Sequence, residues 1–516
     1  MSSTSLSLNR ALKPLLLASI ITLALVAFAL PTFTLAVSAG LQFVPLISVA
    51  PDDPAGLTVT NPACVSPSPV HISAFIHCYT PTDIYNAYNV AKLHKEGITG
   101  KGQTIIIVDS YGSPTALQDL QFFSQTFGLP TPDLTIINPT GTPTFSNSQQ
   151  GIQLGWAEET SLDLQWSHAI APDAKLVLVE ANPAETEGVQ GFPSIFTGEQ
   201  MAITQYPGSV MSQSFAVTEQ SFCGGSTLSS PTTCGAATTQ IAKFDLTYQL
   251  AVQNHVTVFG SSGDTGTANV ERAAGVSVGP LLPYPTVNWP SSDPLVTSAG
   301  GTWLQYHWTW NPTISTKDYY NCLAAGGTNC NSLYLNYNTN TASTEAVWKE
   351  DWAQVATGGG LSVLFSTPNF QNGISSALLQ GHRGLPDLSW NAAIDGGVLV
   401  YTTFPGVRVG WHIIGGTSAS SPQLAGLIAL TNQIAHQNGK GPVGYLNPLL
   451  YKLQARDFND IVPQTFGTGA GVTTLQDNSE YGTGISGYAT SIGWDLSTGF
   501  GTPNAYNFAH DLPSML

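Results

Sequence analysis

The run Thr104-Ile105-Ile106-Ile107-Val108, closed by Asp109, is apolar without alternation. A strand wetted on one face alternates apolar and polar residues. A strand covered on both faces does not, and helices cover both faces chiefly in parallel sheets. Similar runs return at Lys175–Glu180, Ser209–Ser214 and Val256–Gly260, and helical periodicity fills Leu117–Phe127, Glu158–Ile170 and Thr239–Asn254 between them. This alternation predicts an α/β protein built on a doubly wound sheet, with a mainly parallel core and flanking helices. In such a sheet the site forms at the carboxyl ends of the strands. The stretch 303–345, rich in Asn, Thr, Tyr and Gly, reads as an inserted loop region instead of another strand–helix unit.

Only 9% of the 516 residues are charged, and the formal net charge is −17. So few basic residues argue against nucleic acid or anionic membrane as a partner. Arg10 and Lys13 precede an apolar run from Leu15 to Leu30, followed by small residues. This is the pattern of a signal peptide over 1–39, and the competing reading is an uncleaved anchor. Either predicts a secreted or cell-surface protein. A short Pro-rich segment, 40–79, follows and reads as extended. The six cysteines fall in local pairs, Cys64 with Cys78, Cys223 with Cys234 and Cys322 with Cys330. Fifteen connectivities are possible, and local pairing is the expected one because each pair brackets loop sequence.

Ser418 stands in Gly415-Gly416-Thr417-Ser418-Ala419, just ahead of a helical pattern through Leu424, Leu427, Ile428, Ile434 and Ala435. A hydroxyl at a helix N-terminus lies where main-chain N–H groups favour negative charge, which suits a nucleophile whose attack creates an oxyanion. Such a nucleophile needs a base. None of the ten histidines precedes Gly, so the His-Gly-Thr of ordinary subtilases is missing, although Asp109 follows the right kind of strand. The Gly-x-Ser-x-Gly elbow is missing too. His168 reads as a solvated or capping residue.

Carboxylates offer another base. Glu159 and Asp163 are four apart and share one helix face, while Glu158 lies well around the helix from Asp163. Two acids that close cannot easily both ionise when buried, and such a pair can share a proton. The solvated-face reading is opposed by Leu162, Leu164, Trp166 and Ile170 in the same segment. A third acid, Asp264, sits in Gly260-Ser261-Ser262-Gly263-Asp264-Thr265-Gly266 directly after an apolar strand. If protonated, it can donate to an oxyanion.

These residues resemble the sedolisins, serine-carboxyl peptidases with a subtilisin-like fold. The resemblance rests on Glu159–Asp163, Ala171–Lys175, Ser212–Phe215, Ser262–Gly266 and Gly416–Ala419, with weaker matches at Thr104–Tyr111, Ser298–Thr302, Gly358–Ser362 and Arg383–Ser389. They run in family order across about 80–510, so 80–512 is expected to be the peptidase domain. The resemblance implies Ser418 as nucleophile, Glu159 as base, Asp163 as its partner and Asp264 in the oxyanion hole. It implies acid-active cleavage of proteins and peptides. The chain is expected to be a monomer, with no nucleic acid and no membrane as partner after signal removal. Extended substrate would pair with strand edges at Ser212–Phe215 and Gly358–Ser362, giving Ser212, Ser214, Gly359 and Gly360 as candidate contacts.

The resemblance also implies one structural Ca²⁺ in the region 457–500. Asp460 and Asp495 would supply carboxylates, and Ile461, Ser491 and Gly493 carbonyls, with Ser491 standing where the family has Gly. Hard oxygen donors of this mixed kind suit Ca²⁺. Only about 40 residues separate signal from catalytic segment, too few for the long pro-domain many sedolisins carry. Two alternatives remain open on the same fold: a tripeptidyl-type exopeptidase and a catalytically silent surface-binding protein.

Overall fold

The computed structural model describes residues 48–49, 78–145, 150–182, 192–223, 237–269, 281–306, 308–310, 335–337, 344–350, 355–405, 409–466, 473–479 and 484–516. The expected signal segment 1–39 lies outside them, and so does nearly all of 40–79. The parts of 40–79 that are described add strands to a second, smaller sheet. Ser48–Val49 pairs with Ile413–Ile414, and Cys78–Tyr79 pairs with Gly397–Val398. Cys78 is disulfide-bonded. The side chains of the other five cysteines fall outside the description, so the expected pairing is not tested. Among the described residues, no helix is long and apolar enough to cross a membrane.

The main sheet contains β1 (Thr104–Ser110), β2 (Asp133–Ile137), β3 (Lys175–Ala181), β4 (Val210–Gln213), β5 (Thr257–Ser261), β6 (Thr297–Gln305), β7 (Thr344–Val347) and, beyond an intervening hairpin, Leu388–Asn391. Its order is β7-β6-β5-β4-β1-β3-β2, with Leu388–Asn391 on the other edge of β6. Every pairing is parallel except that of β7 with β6. The longer helices are α1 (Ala116–Phe127), α2 (Gln150–Ile170), α3 (Phe192–Gln205), α4 (Ala237–Gln253) and α5 (Thr417–Gln437).

The unalternating run in β1 now has its cause. Ile105 and Ile107 join one core, with residues of α2 and α5, while Ile106 and Val108 join another, with residues of α3 and α4. Successive side chains point to opposite faces, and both faces are dry. The helix α5 is buried over its whole length from Thr417 to Ala435, so it runs through the core and has no solvent stripe.

Three sequence expectations need correction. The helix expected from Glu158 begins at Gln150. The segment 303–345 is not simply a loop, because Trp303↔Ala346, Leu304↔Glu345 and Gln305↔Thr344 are paired strand, and Trp308–Trp310 pairs with Leu335–Tyr337. Polar composition hid an antiparallel excursion from the sheet. His168 is fully buried, its ring bonded to Pro130 O at 3.1 Å, and burial lowers its pKa to about 4.

Candidate active site

The strand order places β1 next to β4, and β4 next to β5, with their carboxyl ends together. The chain turns from one flank of β1 to the other here, which opens a crevice at these ends. Asp109 is the last residue but one of β1, Ser214 follows β4, and Ser262-Gly263-Asp264 follows β5. From the helical side, α2 brings Glu159 and Asp163, and the first turn of α5 brings Ser418. Asp109, Glu159 and Asp163 are 0% exposed, and Asp264 and Ser418 are 1% exposed.

Burial is the main cause of the electrostatics. It raises the Glu159 carboxyl well above its ordinary value, and the negative potentials of Asp163 and Asp109 raise it further. The Ser418 hydroxyl lies near enough to favour the charged form, although neither Glu159 oxygen accepts a well-formed hydrogen bond. Asp163 is raised by burial and by Asp109, and the Ser214 hydroxyl, donating at 3.1 Å, partly opposes this. Asp109 is pushed up to about 7 by burial, with the Thr160 hydroxyl pulling the other way. These acids behave as a system that holds protons where isolated carboxylates would have lost them.

Asp264 is held differently. Its Oδ1 accepts the Thr417 N–H at 2.8 Å and the Thr417 hydroxyl at 2.7 Å. Its Oδ2 is buried and has no partner. Burial raises its pKa to about 6. A Cβ on Gly416, whose φ is 112°, would meet that Oδ2 at 2.8 Å, so only glycine lets the chain enter α5 here. Thr417 is tied to the same turn from its other atoms. Its hydroxyl accepts from Gly263 N at 3.1 Å, and its carbonyl from Ser261 Oγ at 3.2 Å.

All four acids and hydroxyls expected at the centre therefore come together, and two residues join them that sequence reasoning did not assign. Asp109 was legible only as the end of a strand. Thr417 was legible only as the neighbour of Ser418. Glu158 points elsewhere, with His412 Nδ1 at 3.5 Å.

The expected substrate contacts divide. The strand Val210–Gln213 is not an edge, since β1 and β5 pair with its two sides. Ser212 is fully buried and shares a hydrogen bond of 2.8 Å with Ser421 on α5, so it braces the helix. Ser214 gives its hydroxyl to Asp163. Gly359 and Gly360, by contrast, lie beside the Asp264 turn: Gly358 N donates to Gly263 O at 2.7 Å, and β8 (Gly360–Ser366) begins there, paired with β9 (His382–Leu385).

At the far C-terminal region, Asp495 accepts N–H groups from Ser491, Ser497 and Thr498, and Asp460 accepts from Gly493 N at 2.9 Å. The two carboxylates thus bracket the 491–495 turn. No group of three His, Cys, Asp or Glu side chains forms a metal centre among the described residues. A cation would rest on two carboxylates and main-chain carbonyls, and the oxygen-only donors around this turn fit a hard ion.

A helix-embedded serine facing buried carboxylates across a doubly wound sheet defines a subtilisin-like α/β protein with a carboxyl-only centre. Comparison with known proteins extends this. Kumamolisin of Bacillus sp. (strain MN-32) is 28% identical over 436 residues, covering 84% of this chain and 63% of kumamolisin. Tripeptidyl-peptidase 1 of Rattus norvegicus is 25% identical over 274 residues, 51% of this chain and 38% of that protein. The chain thus spans less than two thirds of these relatives. Pseudomonas sedolisin, a serine-carboxyl proteinase solved with two molecules of pseudo-iodotyrostatin, superimposes with a TM-score of 0.57 at 24% identity, over 85% of this chain and 99% of that one. No protein-family model matches the chain. The chain is thus similar in sequence to serine-carboxyl peptidases of the sedolisin group and shares the sedolisin fold.

Proposed function

We propose that this chain is a secreted, acid-active serine-carboxyl endopeptidase, with 80–512 as its catalytic domain. The observation that carries the reading is Ser418 at the start of α5 beside Glu159, with Asp163, Asp109 and Asp264 buried around them. Glu159 takes the Ser418 proton as Oγ attacks the peptide carbonyl carbon. The oxyanion is held by the Ser418 N–H and by Asp264. Because both Thr417 donors go to Oδ1, the proton of neutral Asp264 belongs on Oδ2, the oxygen left free to donate. Glu159 then gives its proton to the leaving amine. In the second half, water loses a proton to Glu159 and attacks the acyl carbon, and Glu159 returns that proton to Ser418 Oγ as it leaves. Asp163 keeps Glu159 oriented and tuned, itself held by Ser214.

Asp264 is useful only when protonated, so turnover should fade as pH rises through its pKa of about 6. A neutral-pH optimum would sink the mechanism. The tripeptidyl alternative is favoured by the relatives that carry that name. Digestion of an N-acetylated protein at about pH 3–4, in the carboxyl range, followed by sequencing of products, separates the readings. Internal cuts mean an endopeptidase. Cuts only in unblocked substrate mean an exopeptidase, and no cuts mean a silent binding protein.

We also infer a structural Ca²⁺ at Asp460 and Asp495, with the carbonyls of Ile461, Ser491 and Gly493. When bound, the ion would neutralise two carboxylates and tighten the 491–495 turn. Chelation that left thermal stability unchanged would count against it.

A further inference from the structure

We propose that Thr417 is a positioning residue for the oxyanion acid: it fixes which oxygen of Asp264 carries the proton and where that oxygen points. The inference rests on the peptidase reading above, in which Asp264 acts as a neutral donor.

The main chain and the side chain of the Asp264 turn are held by different means. The main chain is clamped by neighbouring segments. Ala356 N donates to Asp264 O at 3.0 Å, Gly358 N to Gly263 O at 2.7 Å, and Asn288 Nδ2 to Ser262 O at 3.1 Å. None of these bonds reaches the carboxyl group. Among the described residues, that group takes its hydrogen bonds from Thr417 alone, the N–H at 2.8 Å and the hydroxyl at 2.7 Å, both on Oδ1. The terminal torsion of an aspartate is soft when nothing holds it. The two Thr417 bonds therefore set the plane of the carboxyl and aim Oδ2.

The direction of the hydroxyl bond is fixed as well. Thr417 Oγ1 accepts the Gly263 N–H at 3.1 Å, so its own hydrogen goes on to Asp264. A carboxyl oxygen offers two lone-pair directions, and Thr417 fills both on Oδ1. The proton of the neutral acid is left with Oδ2, which is buried and has no partner. The Thr417 carbonyl accepts from Ser261 Oγ at 3.2 Å, so this residue grips the turn on both sides of Ser262. Ser418 follows directly. Through Thr417, the nucleophile and the oxyanion acid keep one spacing.

The same two bonds favour the ionised carboxyl, against the larger effect of burial, which raises it to about 6. The ionisable group coupled to Asp264 is Glu159 on α2, which Asp163 and Asp109 act on in turn. The first turn of α5 brings no acid, and the Ala356–Gly358 segment, Asn269 and Asn288 bring no charge. Loss of the Thr417 hydroxyl should thus raise the Asp264 pKa while loosening its aim.

Thr417→Val, made in the full chain, replaces the hydroxyl by a methyl group and keeps the N–H. With a peptide substrate, kcat should fall about tenfold or more at the optimum, with KM little changed. The alkaline limb of kcat should move up by about half a pH unit or more. Thr417→Ser, which restores the hydroxyl, should return the limb to its wild-type position. A merely structural loss would lower kcat alike at every pH and leave the limb in place. In Asp264→Asn, which has nothing to ionise here, adding Thr417→Val should move no limb. A limb that stays put in Thr417→Val, fails to return in Thr417→Ser, or moves as far in the Asp264→Asn background overturns the assignment. A wild-type chain that cleaves no peptide refutes the peptidase reading instead. Infrared titration of the protonated-carboxyl band missing from Asp264→Asn then decides the tether. The band should persist to higher pH in Thr417→Val, and an unmoved midpoint overturns the role.

Discussion

Two groups of acids lie equally deep in this protein and are treated in opposite ways. Asp387 is fully buried, yet Arg383 forms two bonds to it at 2.9 and 2.6 Å, Tyr451 donates at 2.7 Å and Ser298 N at 2.8 Å. Its lone pairs are filled, and the bond to Ser298 locks the β6 start to the Arg383–Ser389 segment. Asp109 and Glu159 are just as buried, but no oxygen of either accepts a well-formed hydrogen bond. Depth alone therefore does not mark a functional acid. At the proposed site, burial without compensation is shared by several acids on facing elements, which stores protons there at the price of stability.

The contrast breaks most sharply at Glu159. Glu159→Gln, or Ser418→Ala, should cut kcat by roughly 10⁴-fold or more if they are the proposed base and nucleophile, which act as a unit. Thermal stability near neutral pH should hold or rise in Glu159→Gln, since Asp163 and Asp109 lose a repelling neighbour. Glu158→Ala, whose acid faces His412, should keep most activity. Loss of stability in Glu159→Gln comparable to that from breaking an ion pair would erase the distinction. On the compensated side, Asp387→Ala leaves the Arg383 charge buried and alone. Denaturant unfolding should show a loss of about 3–5 kcal/mol, with the activity of the folded fraction retained.

Asp264 sharpens the comparison, since it is half compensated: Oδ1 is satisfied and Oδ2 is not. Asp264→Ala should lower kcat by about 10²–10³-fold, the usual value of one oxyanion donor. Asp264→Asn keeps an acceptor for Thr417 and places a permanent N–H donor toward the hole. It should retain more activity than the alanine variant and lose the decline near pH 6 that titration of Asp264 predicts. A pH–rate profile of unchanged shape in Asp264→Asn would assign that decline to another group.

Much of this was legible in the sequence because it rests on local rules. The apolar run at Thr104–Val108 demanded two dry faces, and the cores on either side supply them. Glu159 and Asp163 share a helix face by spacing alone. Asp109 was harder to assign, because its partners arrive from α2 and only the sheet order brings them near. The Ser212 edge was misread for a related reason. Four residues look the same at the rim and in the middle of a sheet, and β1 and β5 happen to flank this strand. The 303–345 segment misled through composition, since Trp303 and Leu304 pair across to Ala346 and Glu345 despite the polar residues between.

The smallest expected effect concerns an uncompensated acid remote from chemistry. Glu199 is fully buried. Its Oε1 accepts from Gln213 at 2.6 Å, its Oε2 has no partner, and burial raises its pKa to about 8. A carboxyl whose folded pKa lies above its unfolded value of about 4.3 favours the fold while protonated. That stability is complete below the unfolded pKa and is lost as pH rises towards 8. Glu219 and Glu350, both raised by burial to about 7, act in the same direction. The wild-type melting temperature should therefore fall between pH 4 and 8. Glu199→Gln keeps the oxygen that Gln213 needs and removes the ionisation. It should match wild type at pH 4 and melt at a higher temperature than wild type at pH 8. Equal melting curves at pH 8 would mean that Glu199 ionises without cost, and that burial without compensation taxes this fold only at its catalytic centre.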